Sequence, residues 1–269
     1  MISIKSKREI ERMRETCNFA RSVLEYIEPH VKPGASTLEL NDMCHEFITS
    51  QGAYPSPLNY HGFPKSVCTS LNDVICHGIP NKKEVLKEGD VLNIDVTTEL
   101  NKFHGDTNKT FLVGDVDEGV KKLVDVTYQC MVEGIRTVRP GSHIGDIGAV
   151  IQEVAHGHGY SVVEEYCGHG IGREFHEEPQ VVHVGKRGTG PEIKPGMTFT
   201  IEPMINMGSR HCRLLKDNWT VLTQDGKPSA QFEHTLLVTE ESHEVLTIRQ
   251  EERDLHGFGE GKATFKYSE

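Results

Sequence analysis

The stretch Val91-Leu92-Asn93-Ile94-Asp95-Val96 has an altered counterpart 107 residues later, at Thr198-Phe199-Thr200-Ile201-Glu202-Pro203. Each copy follows a turn that contains glycine, and each has the pattern of a short strand that ends in a carboxylate. Because side chains alternate along a strand, Asp95 and Glu202 each lie on a polar face, opposite an apolar face. The two polar faces are therefore predicted to share one acidic site.

Other segments repeat in the same order, at offsets that range from 99 to 127 residues. The matching segments are the turns at 31–34 and 138–141, the histidine segments at 61–63 and 169–171, the H-x-x-P segments at 77–80 and 176–179, and the second acids Asp106 and Glu233. Matches of this number and order predict two related halves that close on each other. Each half is predicted to contain two helices, a loop and two strands.

Composition bounds the class of protein. The chain has 269 residues, and its hydrophobic content of 36% and charged content of 26% are ordinary for a soluble domain with a sizeable core. No apolar run approaches the roughly 18 residues of a membrane span. Residues 1–14 lack the apolar core of a signal peptide, so we expect a cytoplasmic protein with no membrane contact.

Cysteine usage and net charge exclude further classes. The seven cysteines are scattered and contain no C-x-x-C pair, which argues against a disulfide framework or a zinc knuckle. A net charge of −11 argues against a general nucleic-acid binder, which would normally show a basic excess.

Helical periodicity predicts the outer elements of each half. Ser6 and Glu9 fit a capping box at the start of a first helix, which Pro29 ends. The other predicted elements are helices at about 37–51, 120–135 and 144–156 and strands at 91–96 and 106–113. Residues 1–249 are predicted to form one domain, and the polar segment 250–269 a loosely ordered tail.

The candidate catalytic constellation consists of Asp95, Asp106, His169, Glu202 and Glu233. Four carboxylates that converge without cations would repel one another and raise each other's pKa. Two divalent cations remove that conflict, and oxygen ligands with one imidazole suit Mn, Fe(II), Co or Zn. A pair of ions about 3.5 to 4 Å apart would lower the pKa of a water and polarise a carbonyl. The constellation therefore predicts a dinuclear metal site.

Five segments of the chain resemble the motifs of the methionine aminopeptidases. They are Asn93-Ile94-Asp95-Val96, His104-Gly105-Asp106-Thr107, Gly168-His169-Gly170-Ile171-Gly172, Phe199-Thr200-Ile201-Glu202-Pro203 and Gln231-Phe232-Glu233-His234-Thr235. The resemblance runs from about residue 3 to 248, and the spacings of 11, 63, 33 and 31 between successive candidate ligands match the family. Only 25 residues separate His176 from Glu202, so the chain resembles the short bacterial type I form.

The resemblance implies a role for each member of the constellation. Asp95 would chelate one metal ion, and His169 and Glu202 would chelate the other. Asp106 and Glu233 would bridge the two ions. Glu202 would also handle the proton of the attacking water.

The resemblance also implies which residues contact the substrate. His176 would hydrogen-bond the scissile carbonyl and the tetrahedral intermediate, and His77 would contact the substrate near its amino end or at the scissile nitrogen. The wall of a methionine pocket would comprise Tyr60, Phe63, Cys68, Phe175 and Trp219, with His61 at the rim. A monovalent cation would bind at Asn72, Val74 and Ser229.

The fold and activity implied by the resemblance are a pita-bread α/β domain, with antiparallel sheet inside and helices outside, that removes the initiator methionine when the next residue is small. One alternative is an Xaa-Pro peptidase on the same scaffold, whose relatives usually carry an additional N-terminal domain. A second alternative is a binding protein that keeps the fold without catalysis. The retained ligands and both histidines disfavour that second alternative.

The expected partners follow from the implied substrate, which is the N-terminus of a nascent polypeptide. Basic residues near the start of the first helix suggest transient contact with the ribosome, namely Lys5, Lys7, Arg8 and Arg12. Acidic residues interleave with them, so a solvated helix face is the simpler interpretation. The chain is expected to be a monomer.

Overall fold

Two long antiparallel strands form the centre of the N-terminal half. In the computed structural model, which describes residues 2–256, β4 (Val91–Leu100) pairs with β5 (Phe103–Leu112) along its whole length. Both strands are longer than the sequence predicts because Asn101 and Lys102 form a two-residue turn. Their φ values of 54° and 67° match the tight hairpin turn whose twist suits paired strands. A lysine in such a turn gives no turn signal in the sequence.

The other elements precede and follow this hairpin. The helices are α1 (Lys7–Ile27), α2 (Thr37–Ser50), α3 (Glu118–Arg136), α4 (Ile144–Gly157) and α5 (Gln250–His256), with 3₁₀ turns at Glu28–His30 and Tyr60–Gly62. The shorter strands are β1 (Tyr54–Pro55), β2 (Cys68–Leu71), β3 (Val74–Cys76), β6 (Ser161–Val162), β7 (Gly168–Gly170), β8 (Glu177–Val181), β9 (Thr198–Ile201), β10 (Met204–Asn206), β11 (Cys212–Leu214), β12 (Val221–Thr223), β13 (Ser229–Gln231), β14 (His234–Val238) and β15 (His243–Val245).

The strands form antiparallel sheets that the helices cover. In the N-terminal half β4 pairs with β1, β2 and β5, while the C-terminal half contains a sheet of order β15-β14-β9-β7-β8. Two smaller sheets have the orders β13-β10-β6 and β11-β12-β3. Helix α1 packs against β4 and β5, and α3 packs against β9, β10 and β13. This arrangement confirms the predicted α/β class with antiparallel sheets.

Hydrogen bonds in the turns repeat between the two halves. The Gly34 amide donates to the Leu86 carbonyl at 2.9 Å, and the Gly141 amide donates to the Ile193 carbonyl at 3.0 Å. Both glycines have a left-handed backbone, with φ of 94° and 85°, which residues with a Cβ adopt at a cost. The internal repeat predicted from sequence therefore extends to the backbone conformation of its turns.

Each half has its own apolar core. Leu92 and Ile94 of β4 are fully buried and pack with apolar residues of α1 and α2. Phe199 and Ile201 of β9 are equally buried and pack with residues of α3 and α4. The alternation predicted for both strands is therefore present, and their polar faces are turned away from these cores.

The predicted boundary at residue 250 differs from the structure, because residues 250–256 form helix α5. The Glu252 side chain is buried and bonds with His234 Nε2 at 3.0 Å, and it also pairs with the buried guanidinium of Arg249. This helix is held by buried charged groups, which a search for apolar periodicity misses. Residues 257–269, the remainder of the predicted tail, lie outside the described residues.

Lys5 does not belong to an exposed basic cluster, contrary to the sequence interpretation. Its side chain is buried, and its ammonium pairs with Glu177. Lys7 and Arg8 are exposed as predicted. Among residues 2–256, no helix has the length and apolar character needed to cross a membrane.

Candidate active site

The polar face of the central hairpin carries two of the predicted ligands. Asp95 lies on β4 and Asp106 on β5, where Asp106 is directly opposite Thr97. The C-terminal half supplies the other three ligands from β7 and the ends of β9 and β14. These are His169, Glu202, which follows β9, and Glu233, which precedes β14.

The structure brings these five residues around one buried point. One ligand atom from each of Asp106, His169 and Glu233 lies within 4.8 Å of the others. His169 Nε2 lies 3.5 Å from Asp106 Oδ2 and 3.7 Å from Glu202 Oε1. Asp95 lines the same cavity as these four. The predicted constellation is therefore assembled, although its members come from distant parts of the chain.

Neutral side chains hold three of the carboxylates in place. Thr97 Oγ1 donates to Asp106 Oδ1 at 2.8 Å, and Asn108 Nδ2 donates to Glu233 Oε2 at 2.9 Å. Thr200 Oγ1 donates to Glu202 Oε1 at 2.7 Å and accepts the His169 amide at 2.9 Å. These bonds orient the carboxylates before any ligand binds.

The His169 ring has its Nδ1 atom 2.9 Å from the Gly170 carbonyl, so Nδ1–H donates there. Nε2 then carries the lone pair and is directed at Asp106 and Glu202. A histidine whose second nitrogen bonds to a backbone carbonyl is the usual arrangement for a metal ligand.

The electrostatics of the cluster favour bound cations. Burial, followed by repulsion from Asp106 and Glu202, raises the pKa of Asp95 well above its ordinary value. Burial also raises the pKa of Glu233, with Asp106 and Glu202 adding to the shift. For Glu202 the pKa is raised to about 7, mainly by burial and against the effect of His169. Ionising all of these groups together requires a compensating positive charge.

Unsatisfied oxygen atoms show where such a charge fits. Asp95 Oδ1 and Glu233 Oε1 are buried and have no hydrogen-bond partner among the described residues. Buried carboxylate oxygens normally have a partner, and a divalent cation would supply one. The donor set of carboxylates with one imidazole therefore fits divalent metal ions.

A cavity of about 350 Å³ opens from the acidic cluster. Every residue predicted for the site lines it, including the substrate-contact residues Tyr60, His61, Phe63, Cys68, His77, Phe175, His176 and Trp219. One end of the cavity is thus acidic, and the rest is bounded mainly by aromatic rings and thiols. A ligand with a polar head and an apolar, polarisable side chain would suit this shape.

Aromatic contacts order the apolar wall. Phe63 and Trp219 meet edge to face at 5.2 Å, and the His77 ring lies 6.1 Å from Trp219. His77 has a left-handed backbone with φ of 56°, a conformation that concentrates at functional sites. Burial lowers the pKa of His77, so this ring is neutral near pH 7.

A second histidine lies at the mouth of the cavity. The His176 ring is 4.2 Å from that of His169, and its Nδ1 lies 2.7 Å from the Tyr60 hydroxyl. Partial burial of the His176 ring, followed by repulsion from His169, lowers the pKa of His176. The neutral ring therefore presents one N–H and one lone pair.

Sequence reasoning missed the side chains that support the ligands. These are Thr97, Asn108, His183, Thr200 and Gln231, with His183 Nε2 accepting the Glu202 amide at 3.1 Å. Alternation could have found three of them, because Thr97, Asn108 and Thr200 each lie two residues from a ligand on the same strand face. Nothing in the sequence marks His183.

The residues predicted for a monovalent cation come together in part. The Ser229 amide donates to the Asn72 carbonyl at 3.0 Å, and Val74 lies two residues beyond Asn72. Binding of a cation there stays a prediction.

Known proteins of this architecture share both the sequence and the fold. Residues 11–240 match the sequence profile of metallopeptidase family M24. Methionine aminopeptidase A of Synechocystis sp. is 52% identical over 247 residues, which cover 92% of this chain and 98% of that protein. The crystal structure of methionine aminopeptidase from Rickettsia prowazekii superposes with a TM-score of 0.91 at 52% identity and covers 92% of this chain and 100% of that chain.

The chain belongs to the methionine aminopeptidases of metallopeptidase family M24. Its fold is the pita-bread fold of these enzymes, as the sequence resemblance implied. Xaa-Pro dipeptidase from Bacillus anthracis has a TM-score of 0.72 at 22% identity, and this likeness extends to the fold alone. Membership of a metallopeptidase family agrees with divalent metal binding by the acidic cluster.

Proposed function

We propose that this chain removes N-terminal methionine from polypeptides when the second residue is small. One observation supports the proposal most directly: the acidic cluster and a pocket of aromatic rings and thiols share a single cavity. An N-terminal methionine has a charged amino group beside a flexible thioether. Thioethers pack favourably against aromatic rings, so Phe63, Phe175 and Trp219 suit the side chain.

The proposed metal ligands divide between two ions. Asp95 would bind one ion, His169 and Glu202 the other, and Asp106 and Glu233 would bridge them. When bound, a pair of Mn, Fe(II), Co or Zn ions would polarise the scissile carbonyl and activate a water. The unsatisfied oxygens of Asp95 and Glu233 support this division, because each needs a positive partner.

Glu202 is the residue that would transfer protons in the reaction. Glu202 lies in the cavity wall with the other proposed ligands, where its carboxylate would accept a proton from the attacking water and pass it on. Thr200 and Gln231 hold the Glu202 carboxylate while it does so.

His176 would stabilise negative charge on the scissile carbonyl oxygen. If the Tyr60 hydroxyl donates to Nδ1, the ring proton is on Nε2, and Nε2–H is the donor available to substrate. Tyr60 thus selects the tautomer that this role needs. His77, on the wall near Trp219, would contact the substrate close to its amino group.

Methionine release from short peptides tests the proposal. We expect Met-Ala-Ser to be cleaved in the presence of Mn(II), Co(II) or Fe(II), and Met-Lys-Ser to be cleaved far more slowly. Ala-Pro-Ser serves as a control for Xaa-Pro cleavage. Preferential cleavage of Ala-Pro-Ser, or no release of methionine with any of these ions, would contradict the proposal.

The remaining proposals concern the setting of the enzyme. We propose that it acts in the cytoplasm as a monomer on nascent chains. The exposed Lys7 and Arg8, with Arg12, offer positive charge for transient contact with ribosomal RNA. Co-sedimentation with ribosomes should weaken when these three residues are neutralised, and unchanged co-sedimentation would remove this patch from consideration.

A further inference from the structure

The N-terminal segment is packed against the catalytic half by a buried charge. The Lys5 amide donates to the Gly196 carbonyl at 2.8 Å, next to the strand that leads to Glu202. The Lys5 ammonium lies 2.5 Å from Glu177 Oε2, and the two side chains are only 3% and 14% exposed. A buried ammonium is costly without a partner, so each group requires the other.

This ion pair encloses the loop from Gly172 to Glu177, which connects β7 to β8. A Cβ at Gly172 would lie 2.6 Å from Lys5 Cε and 2.6 Å from Glu177 Oε1, so the paired side chains fill the space above the glycine. The Gly172 carbonyl accepts the His104 amide at 2.8 Å from the opposite side. Gly172 is therefore held between β5 and the ion pair.

The same carboxylate closes the loop on itself. Glu177 Oε1 accepts the Glu174 amide at 3.3 Å while its other oxygen is held by Lys5. The two residues between them are Phe175 and His176. Phe175 stacks on His104 at 5.9 Å with an interplanar angle of 7°, and His176 contacts Tyr60 and His169. Lys5 thus fixes both ends of the turn that presents these rings to the cavity.

We propose that Lys5 is a positioning residue, which places His176 for reaction through Glu177 and the Gly172–Glu177 loop. The proposal rests on the proposed function, in which His176 contacts the scissile carbonyl. Lys5 itself lies outside the cavity lining and acts only through the loop. Its removal should alter turnover more than substrate binding.

Lys5→Met tests the proposal, with Lys194→Met as the matched control. Lys194 also pairs with a glutamate, at 3.8 Å from Glu192, but both partners are more than half exposed. Exposed pairs contribute little, so the control should keep wild-type behaviour. For Lys5→Met we expect kcat to fall by roughly tenfold to a hundredfold with KM little changed, as small misplacements of a reacting group can cause. Lys5→Arg should restore most of kcat.

Two further measurements separate positioning from general damage. In a His176→Gln background, Lys5→Met should cause no additional loss of kcat, because the residue it positions is already gone. Hydrogen exchange of the amides at 173–176 should be faster in Lys5→Met and unchanged in Lys194→Met. An equal loss of kcat in both backgrounds, or unchanged exchange in the loop, would overturn the proposal.

The exchange measurement does not depend on activity. If Lys5→Met fails to fold, Lys5→Gln replaces it with the same expected results, because the shorter, uncharged side chain removes the ammonium that holds Glu177 Oε2. Wild-type protein that fails to release methionine would contradict the proposed function. Faster exchange at 173–176 in Lys5→Met would still show that the Lys5–Glu177 pair holds the loop.

Discussion

A threonine hydroxyl supports each half of the acidic cluster. Thr97 bonds to Asp106 in the first half, and Thr200 bonds to Glu202 in the second. Both hydroxyls occupy the strand face that carries the carboxylates, but Thr97 comes two residues after Asp95 and Thr200 two residues before Glu202, so the two threonines are not equivalent in the internal repeat. Partners of metal ligands fix ligand orientation, and their loss typically reduces metal affinity.

The Thr97→Val substitution should weaken metal binding by about 10- to 100-fold, because the valine keeps the shape of threonine but cannot hold Asp106. Titration calorimetry with Mn(II) would measure the change. Thr98→Val is the matched control, since the Thr98 hydroxyl is buried and has no hydrogen-bond partner among the described residues. Equal affinities of the two variants would argue against a supporting role for Thr97.

The Tyr60→Phe substitution should lower kcat by roughly tenfold to a hundredfold, somewhat less than removal of a complete oxyanion donor. Without the Tyr60 hydroxyl, the His176 ring is free to adopt the other tautomer. Steady-state kinetics on Met-Ala-Ser would show the loss. Tyr54→Phe should leave kcat unchanged, because the Tyr54 hydroxyl bonds to the Leu58 carbonyl on an exposed surface, away from the cavity. Wild-type kcat in Tyr60→Phe would exclude tautomer control by this hydroxyl.

At the residue scale, the sequence identified the proposed metal ligands and much of the cavity wall, but not the side chains that hold the ligands. Alternation places Asp95 and Glu202 on the polar faces of their strands, and Asp106 and Glu233 were found as the second acids that follow each strand. His183 could not be found in this way, because its contact is with the backbone of Glu202 and leaves no pattern. Lys5 was misassigned for a related reason. The charged residues next to it in sequence do not indicate that its partner is Glu177, which lies 172 residues away.

At the element scale, the turns before the matching helices show how closely the two halves agree. Gly34 and Gly141 make equivalent backbone bonds, and a Cβ added at either position would meet no atom within 4 Å. Both glycines can therefore be substituted without steric conflict, so that only the strain of the backbone is measured.

Gly34→Ala and Gly141→Ala should each lower the free energy of unfolding by about 1–2 kcal/mol, because alanine is strained at positive φ. Urea unfolding would give both values. Gly157→Ala is the control, since Gly157 ends α4 without a positive φ and has open space around it, so it should be neutral or slightly stabilising. A large difference between the Gly34 and Gly141 variants would contradict the equivalence of the turns.

Helix α5 depends on one buried acid. Although burial alone would raise it, the pKa of Glu252 is lowered from 4.5 to about 2 by His234 and Arg249. The stabilisation is therefore complete above pH 4.5 and is lost as the pH falls from about 4.5 towards 2. Glu252→Gln should lower the free energy of unfolding at pH 7 by about 3 kcal/mol, and the deficit should shrink below pH 4.5.

Urea unfolding of wild type and Glu252→Gln at pH 7, 5 and 4 measures this dependence. Glu153→Gln is the control, because Glu153 pairs with Arg187 at an exposed position outside this network and should contribute less than about 1 kcal/mol. A deficit for Glu252→Gln that stays constant from pH 7 to pH 4 would rule out the ionised pair as its source.

At the scale of the whole molecule, the acidic cluster contains residues from both halves. Asp95 and Asp106 belong to one half, and His169, Glu202 and Glu233 to the other, so bound cations would hold both together. Adding EDTA should lower the melting temperature by roughly 5–10 °C, as expected for ligands bound well above their Kd. The melting temperature of Asp106→Ala should change little when metal is added or removed. Identical melting of metal-free and metal-loaded wild type would contradict this coupling.

The helices and strands of the two halves could be predicted because short-range sequence patterns mark them. These patterns are turn glycines, a capping box and the alternation of polar and apolar residues along strands. The capping box predicted at Ser6 is present at the start of α1, and the structure has a second one at Ser36, before α2, that was not predicted. The missing pieces depend on contacts between distant residues, as in the pairing of Glu252 with His234. Such contacts are made by the fold and cannot be read from neighbouring residues.

The chain contains a single tryptophan, and Trp219 lies on the cavity wall beside Phe63 and His77. Its intrinsic tryptophan fluorescence therefore originates entirely from the wall of the cavity proposed to bind substrate. Filling the pocket should shift the emission spectrum without any attached dye, so ligand occupancy can be followed optically in the unmodified protein.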